Sequence, residues 1–548
     1  MYSTIIYYIV KVLFRVSLFF KIDYLRKNGL IKSLAMSKEL DIMIKKVDGV
    51  EFNKTKYKKN FVFLPLLGSF SINNFMQILL ARIFHEKGHD VTVIYSDIIW
   101  PACEMTTFRT DKYRRLLVSF YNKHIEKLLE QTDLKVFKLS DLVKDYNSFD
   151  ISSYDSSIYN EFIDSMMLRF YELGEIKENA HNIAYKKRLA RATIISEKMG
   201  QSIVDLNPDF VIMGHGSYTT RAPARLTIEN ANINVVTIGR GKQKSTQKFV
   251  WNKPSDWWGI DEIWEKESDY LLDDLDTSVL NSYLDSRKNH SNDIMVYNFG
   301  DNEEQNKLIK DIGIDSNATT YVLFTNVLWD AASAKREIVF KNSLDWICCT
   351  IDYFKNNPEK GNLLIRIHPA ESIIGTQQPI AKYIQNKYNN LPNNIKVIEP
   401  QTGINSWALY GIMDLGIVHT STVGIELAME GIPVICVSKT HYRDKGFTVD
   451  VKNKEEYFKY LNMEMYNDTY IDKIRKLSLK YSYFMFLRFQ IPFPFFRPES
   501  HINIEGVYEK SFTDENLSIV EEVCDQIANN ELIYLSKQSF DKLNKTNV

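Results

Sequence analysis

At 548 residues, with 45% apolar and 25% charged side chains, the chain is too long for one hydrophobic core and has the composition of a folded protein of two domains with extensions. A net charge of −1 excludes a dedicated nucleic-acid binder. The five cysteines (Cys103, Cys348, Cys349, Cys436, Cys524) are odd in number and form no CxxC, which excludes a disulfide framework or a cysteine zinc site and suits a reducing cytosol.

Residues 1–60 carry 13 Lys or Arg against 5 Asp or Glu, a net charge of +8 that leaves −9 for the rest. Within them Ile5–Lys21 is intensely apolar but interrupted by Lys11 and Arg15, four apart and on one helical face. Two central cations are expensive in a spanning helix, which needs about twenty apolar residues. A signal peptide keeps its positive charge ahead of the apolar stretch and ends in small residues, and neither holds here. The expectation is an amphipathic interfacial helix, and a cytoplasmic protein peripherally bound to the anionic inner face of the cytoplasmic membrane.

From Phe61 the pattern changes to a buried strand, FVFLPLL, then a loop with Gly68 and Ser69, an amphipathic helix, and a second strand, VTVIY, ending at Asp97. This strand–loop–helix–strand unit opens a Rossmann-like domain predicted over 61–315. It has no GxGxxG, so a nicotinamide or flavin cofactor is not indicated. Residues 111–200 read as charged helices with aromatic stripes. The strand FVIM ends at Gly214-His215-Gly216, followed by Ser217, Thr220 and Arg221, and the strand NVVTIG leads into Arg240 and Lys242.

A second Rossmann-like domain is predicted over 316–480, opening at TYVLFTNVLWDAA. LLIRI before His368 and LGIV before His419 are continuous apolar runs, as expected of parallel strands buried on both faces. Ligands of open α/β sheets bind at the carboxyl ends of such strands. Thr420, Ser421 and Thr422 stand at such an end and open a helix, where backbone N–H groups, a positive dipole end and hydroxyls suit a phosphate. Ser and Thr are also ordinary N-caps, but a capping box needs its acid three residues after the cap, which leaves Glu426 unexplained. Glu426 lies on the face of Thr422, where a carboxylate could chelate two ribose hydroxyls. His441, Arg443 and Lys445 follow within five residues after the strand PVICV. Residues 481–548 are expected to be a helical extension packing back on the first domain, with FQIPFPFF (Phe489–Phe496) too broken by proline to be a strand.

Three motifs together, Arg366-Ile367-His368-Pro369-Ala370-Glu371, Ser421-Thr422-x-Gly424-x-Glu426 and His441-Tyr442-Arg443-x-Lys445-Gly446-Phe447-Thr448, resemble the capsule polysaccharide biosynthesis family. Its members include bacterial Kdo transferases, and the first two motifs are also similar to those that hold CMP in bacterial sialyltransferases. The resemblance spans about Phe61 to Pro498 and implies a GT-B glycosyltransferase: two Rossmann-like domains facing across a cleft, with the donor nucleotide mainly on the second. It implies donor binding by Arg366, His368, Pro369, Glu371, Thr420, Ser421, Thr422, Glu426, His441, Arg443 and Lys445. Gly68, Ser69, Ser217, Thr220, Arg221, Arg240 and Lys242 would line the acceptor side.

Sugar transfer with inversion needs a base within hydrogen-bond reach of the acceptor oxygen. His215 is best placed by sequence, and Asp97 is second. Neither core carries a DxD-type acidic pair, so no metal or other cofactor is expected at the donor phosphate. The expected function is transfer of a sugar, such as a Kdo- or sialic-acid-like sugar from CMP, to a capsular or other surface glycan or glycolipid, with a capsule-assembly complex as a further partner. The rival readings are a CDP-alditol-type phosphotransferase, a nucleotide-sugar 2-epimerase and a non-catalytic scaffold of capsule assembly.

Overall fold

The computed structural model of the protein describes residues 29–66, 71–149, 155–177, 179–288, 293, 305–330, 336–402, 404–498 and 504–545. They form two compact α/β units. The first comprises the described residues up to Met166, Asn179–Gly259 and those from Arg488 onward; the second comprises Ile260–Leu487 and the short excursion 167–178.

The first unit is built on a seven-stranded sheet. Its strands are β1 (Asn60–Leu66), β2 (Asp90–Tyr95), β3 (Lys135–Lys138), β4 (Phe210–Gly214), β5 (Asn234–Arg240), β6 (Thr246–Trp251) and, from the end of the chain, β13 (Ile491–Pro492). The spatial order is β13-β6-β5-β4-β1-β2-β3. The five strands from β5 to β3 are parallel, while β6 and β13 add antiparallel edges. Both faces are covered, as the unbroken apolar runs require. Phe61 and Phe63 of β1 enter one core with the helix Ser71–Glu86, and Val62 and Leu64 enter the other with the helices Ala180–Val204 and Ala222–Asn230. Pro65 has no N–H to give, and the β1–β2 register shifts between Phe63 and Leu66.

The second unit carries a six-stranded sheet: β7 (Thr320–Phe324), β8 (Asn362–Arg366), β9 (Ile395–Ile398), β10 (Leu415–Val418), β11 (Val434–Cys436) and β12 (Val449–Asp450). All pairings are parallel, in the order β12-β11-β10-β7-β8-β9. One face packs on the helix Ser343–Asn356, whose start is capped by the Asn342 side chain accepting from the Asp345 N–H. On the other face Gly416 of β10 leaves room for Leu427 from the helix Val423–Met429: a Cβ there would stand 2.3 Å from Leu427 Cδ1.

Three sequence expectations are corrected. The boundary between units lies at Gly259/Ile260 rather than 315/316, because the helices Asp261–Lys266 and Asp274–Lys288 are tied to the second unit by Asp261–Lys445 and Arg287–Glu426 ion pairs. Residues 29–48, inside the basic segment 1–60, are not separate from the first domain: they form a helix whose Leu40, Met43 and Val47 lie in the first unit's core. Ile491–Pro492 does form a strand, short and at a sheet edge, the position where proline is tolerated. Beyond it β14 (Phe496–Pro498) pairs with β15 (Ile504–Val507), and the helix Asp514–Ala528 packs on Ser71–Glu86. Buried Lys87 bonds there to Glu521 at 2.8 Å and Asp525 at 3.1 Å. The apolar stretch Ile5–Lys21 lies outside the described residues. Among the described residues no helix is long and apolar enough to cross a membrane.

Candidate functional site

In a doubly wound sheet the strand order reverses at one point, and the loops leaving the two strands there part to opposite faces, opening a crevice at their carboxyl ends. In the second unit the reversal lies between β7 and β10, with β8 next to β7. The residues at this edge are Thr325 and Asn326 after β7, His419 to Thr422 after β10, and His368 after β8. They are bound to one another. Thr325 Oγ1 accepts the His368 N–H at 3.0 Å, and Asn326 Oδ1 accepts the Thr420 N–H at 3.3 Å, across the reversal itself. His368 Nδ1 accepts the Ala370 N–H at 3.1 Å, so in the neutral ring the hydrogen sits on Nε2, a donor. The Thr420 hydroxyl is buried and has no hydrogen-bond partner among the described residues. Tyr442 fixes the next turn: its hydroxyl donates to the Ser421 carbonyl at 2.6 Å, and the ring occupies the space at Gly424, where a Cβ would meet Tyr442 Oη at 2.6 Å. Glycine is thus required at 424 by packing. His419 is fully enclosed against Trp346, and burial lowers its pKa to about 3, so it is neutral.

Other residues expected at the donor site have different work. Arg443 donates to the backbone carbonyls of Cys436, Asp450 and Val451 and so staples the ends of β11 and β12. Lys445 pairs with Asp261 at 2.6 Å. Arg366 donates to the carbonyls of Glu399 and Ile404, and Glu371 accepts the Ile380 N–H. The Glu371 carboxyl is buried without a cation, which raises its pKa to about 7. His441 Nδ1 bonds the Tyr481 hydroxyl at 2.8 Å. Glu426 is buried, with one oxygen on Arg287 at 2.5 Å and the other on the Tyr410 hydroxyl at 2.8 Å. The expectation of a carboxylate open to ribose is corrected accordingly: a sugar hydroxyl would have to share an oxygen that Arg287 or Tyr410 already holds. Pro369 begins the short helix Ala370–Ile374 as its N-cap residue.

In the first unit the reversal lies between β1 and β4. Gly68 and Ser69, in the loop after β1, lie outside the described residues. At the end of β4, His215 adopts φ +64°, a conformation uncommon outside glycine, followed by Gly216 at φ +77°. Two backbone bonds hold the turn: His215 N–H to the Ile238 carbonyl at 3.0 Å, and Ser255 N–H to the His215 carbonyl at 2.9 Å. A Cβ at Gly216 would lie 2.8 Å from Thr237 Cγ2, so the loop passes too close to β5 for any other residue. The His215 side chain is one-third exposed, with Nδ1 4.0 Å from Asp256 Oδ1. Burial lowers its pKa, Arg221 and Lys248 act in the same direction, and Asp256 opposes them. Ser217 donates its hydroxyl to the same Asp256 oxygen.

Thr220 and Arg221 point inward instead, both onto the buried Glu104, at 2.9 and 2.6 Å. Asp97 engages Ser140 with both oxygens, accepting its N–H at 2.9 Å and its hydroxyl at 2.5 Å, and so braces the end of β3. The Lys242 N–H donates to Gln490 Oε1 at 2.5 Å, while Arg240 is half-buried at the end of β5, where desolvation lowers its pKa to about 10. Sequence reasoning missed Asp256, Lys248, Thr325, Asn326 and Arg287, and named Tyr442 only within a motif. Thr325 and Asn326 carried the signal that exposed His368, a polar pair at the end of an apolar run. Asp256, Lys248 and Arg287 reach their sites from a short 3-10 turn, a strand and a helix with no such mark.

No protein-family model and no curated protein matches the sequence. Among solved structures, the chain is similar to KpsC of Thermosulfurimonas dismutans, a β-Kdo 2,4-transferase, at 14% identity and TM-score 0.34 over 50% of this chain and 79% of that one. It is also similar to the UDP-GlcNAc 2-epimerase of Neisseria meningitidis (12%, TM-score 0.24, 77% and 95% of the chains). A third is the glycosyltransferase SnogD of Streptomyces nogalater (11%, TM-score 0.23, 77% and 95%). At these values no residue role passes from those proteins to this chain.

Proposed function

We propose that the chain is a nucleotide-sugar-dependent glycosyltransferase of GT-B type, with the donor nucleotide on the second unit and the acceptor, a cell-surface glycan, on the first. The observation that carries this reading is the β7/β10 edge, where polar groups from three strand ends are bound into one frame and the buried Thr420 hydroxyl has no hydrogen-bond partner among the described residues. As the glycosidic bond breaks, its electron pair leaves with the phosphate, whose charge grows; donors already in place lower that barrier. His368 Nε2–H and the Thr420, Ser421 and Thr422 hydroxyls take that role. The acceptor hydroxyl passes its proton to His215 while its oxygen bonds to the anomeric carbon. His215 suits this because burial lowers its pKa, which leaves the ring unprotonated at neutral pH, and Nδ1 stands 4.0 Å from Asp256 Oδ1. A CMP-linked acidic sugar as donor, a capsular acceptor and attachment to an anionic membrane surface through the basic N-terminus complete the proposal.

The test is calorimetric titration of the full chain with CMP, CDP, UDP and GDP, followed by a donor screen for nucleotide release. His368→Ala is expected to weaken binding of the preferred nucleotide by about 1.5–3 kcal/mol, the range for a charge-assisted hydrogen bond. Binding of none of the four, or unchanged affinity in the variant, overturns the donor assignment.

A further inference from the structure

Lys248 stands at the first unit's edge, and nothing above uses its chemistry. It lies on β6, paired in register with Gly239 of β5. The absence of a side chain at 239 makes room for it: a Cβ there would stand 3.0 Å from Lys248 Cε and 2.5 Å from Ser255 Oγ. The lysine is only 6% exposed, yet it forms no hydrogen bond or ion pair among the described residues. Its close contact is the face of Trp258, 3.4 Å from Nζ to the ring centre. Asp256, the carboxylate that acts on it, is engaged by Ser217 and stands near His215.

A buried ammonium with only an aromatic face beside it is costly and tends to give up its proton, and an arriving anion would offset that cost. We propose that Lys248 is the recognition residue of an anion subsite in the first unit, taking the carboxylate or phosphate of an acidic sugar beside His215. This rests on reading the first unit as the acceptor unit, and it makes the acceptor an acidic glycan. Burial and Lys242 push the Lys248 pKa down to about 7, against the pull of Asp256. An arriving anion favours the ammonium, so binding a little above that pH must take up a proton.

The full chain is titrated with D-glucuronate, glucose 6-phosphate and D-glucose near pH 7.5 in two buffers of different ionisation enthalpy. At least one acidic sugar is expected to bind about tenfold or more tighter than glucose, with proton uptake, as a charge-assisted contact implies. Preference for glucuronate assigns the carboxylate, and preference for the phosphate ester assigns phosphate. Lys248→Met, which keeps the packing on Trp258, is expected to abolish both the preference and the uptake. Equal binding of all three sugars, acidic-sugar binding without proton uptake, or a preference retained in the variant overturns the subsite. The uptake measurement needs no variant, so poor folding of Lys248→Met does not decide the matter. Nucleotide titration of the same wild-type sample tests the donor reading separately.

Discussion

The two units carry the same kind of sheet and open at the same kind of strand-order reversal, but their edges are furnished differently. At β7/β10 the groups are hydroxyls, amides and a histidine whose Nδ1 is already an acceptor, each positioned by another. At β1/β4 they are titratable: a histidine and a lysine with lowered pKa values and the carboxylate between them in effect. Neutral donors on a rigid frame hold an anion at any pH near neutrality. Titratable groups move protons. Under the proposed function, groups of the first kind suit a leaving phosphate and groups of the second kind suit a proton.

The sharpest way to break this contrast is through the frame of the second unit. Arg287→Met leaves Glu426 buried without its cation and is expected to cost about 3–5 kcal/mol, the range for a broken buried pair. Urea unfolding followed by hydrogen exchange should show the loss in the helix Val423–Met429; unchanged protection there means the ion pair does not hold that helix. Glu371 offers a test of opposite sign. Its folded pKa of about 7 lies above the ordinary carboxylate value, so wild-type stability is fully present below about pH 4.5 and is lost as pH rises through 7. Glu371→Gln keeps the acceptor for Ile380 N–H and removes the penalty, so it should be more stable than wild type by roughly 3 kcal/mol at pH 8 and equal at pH 4. A constant difference at both pH values removes that assignment.

At the first unit's edge, His215→Ala is expected to lower turnover by about 10²-fold, or roughly 2.7 kcal/mol, with nucleotide affinity unchanged. The acidic limb of the kcat/KM profile should fall below the ordinary histidine range, because burial lowers the pKa. Nucleotide affinity should not follow that limb, because the hydroxyls and amides at the other edge do not titrate in that range. A shared pH dependence for both would erase the contrast. The smallest effect is at Thr420: Thr420→Val keeps the shape and removes a hydroxyl, weakening nucleotide binding by about 1 kcal/mol. No change would place the phosphate away from that hydroxyl.

Much of this was legible in the chain itself. LLIRI, LGIV and FVIM are strands, and His368, Thr420 and His215 stand at their carboxyl ends, because apolar continuity and an abrupt polar stop are local signals. What failed was the sorting of charged residues by destination. Arg443, Lys445, Arg221 and Asp97 looked available on paper but satisfy carbonyls, carboxylates or a serine within their own unit. Partner choice of that kind depends on residues up to hundreds of positions away, as Lys445 and Asp261 illustrate. The domain boundary differs for the same reason: the sequence pattern set it at 315/316, whereas Arg287 and Asp261 tie the helices before it to the second unit.

The first unit is assembled from separate stretches of chain, with β13 and the helix Asp514–Ala528 supplied from beyond the second unit. During synthesis the second unit has emerged whole once residue 487 clears the ribosome, while the first still lacks an edge strand and the partners of Lys87. An early stop near Arg488 would therefore leave the second unit intact and the first, begun earlier, unfinished. The portion translated first is the one that matures last, and until then the apolar surface destined for Leu517, Val520 and Val523 is open to aggregation or to a chaperone.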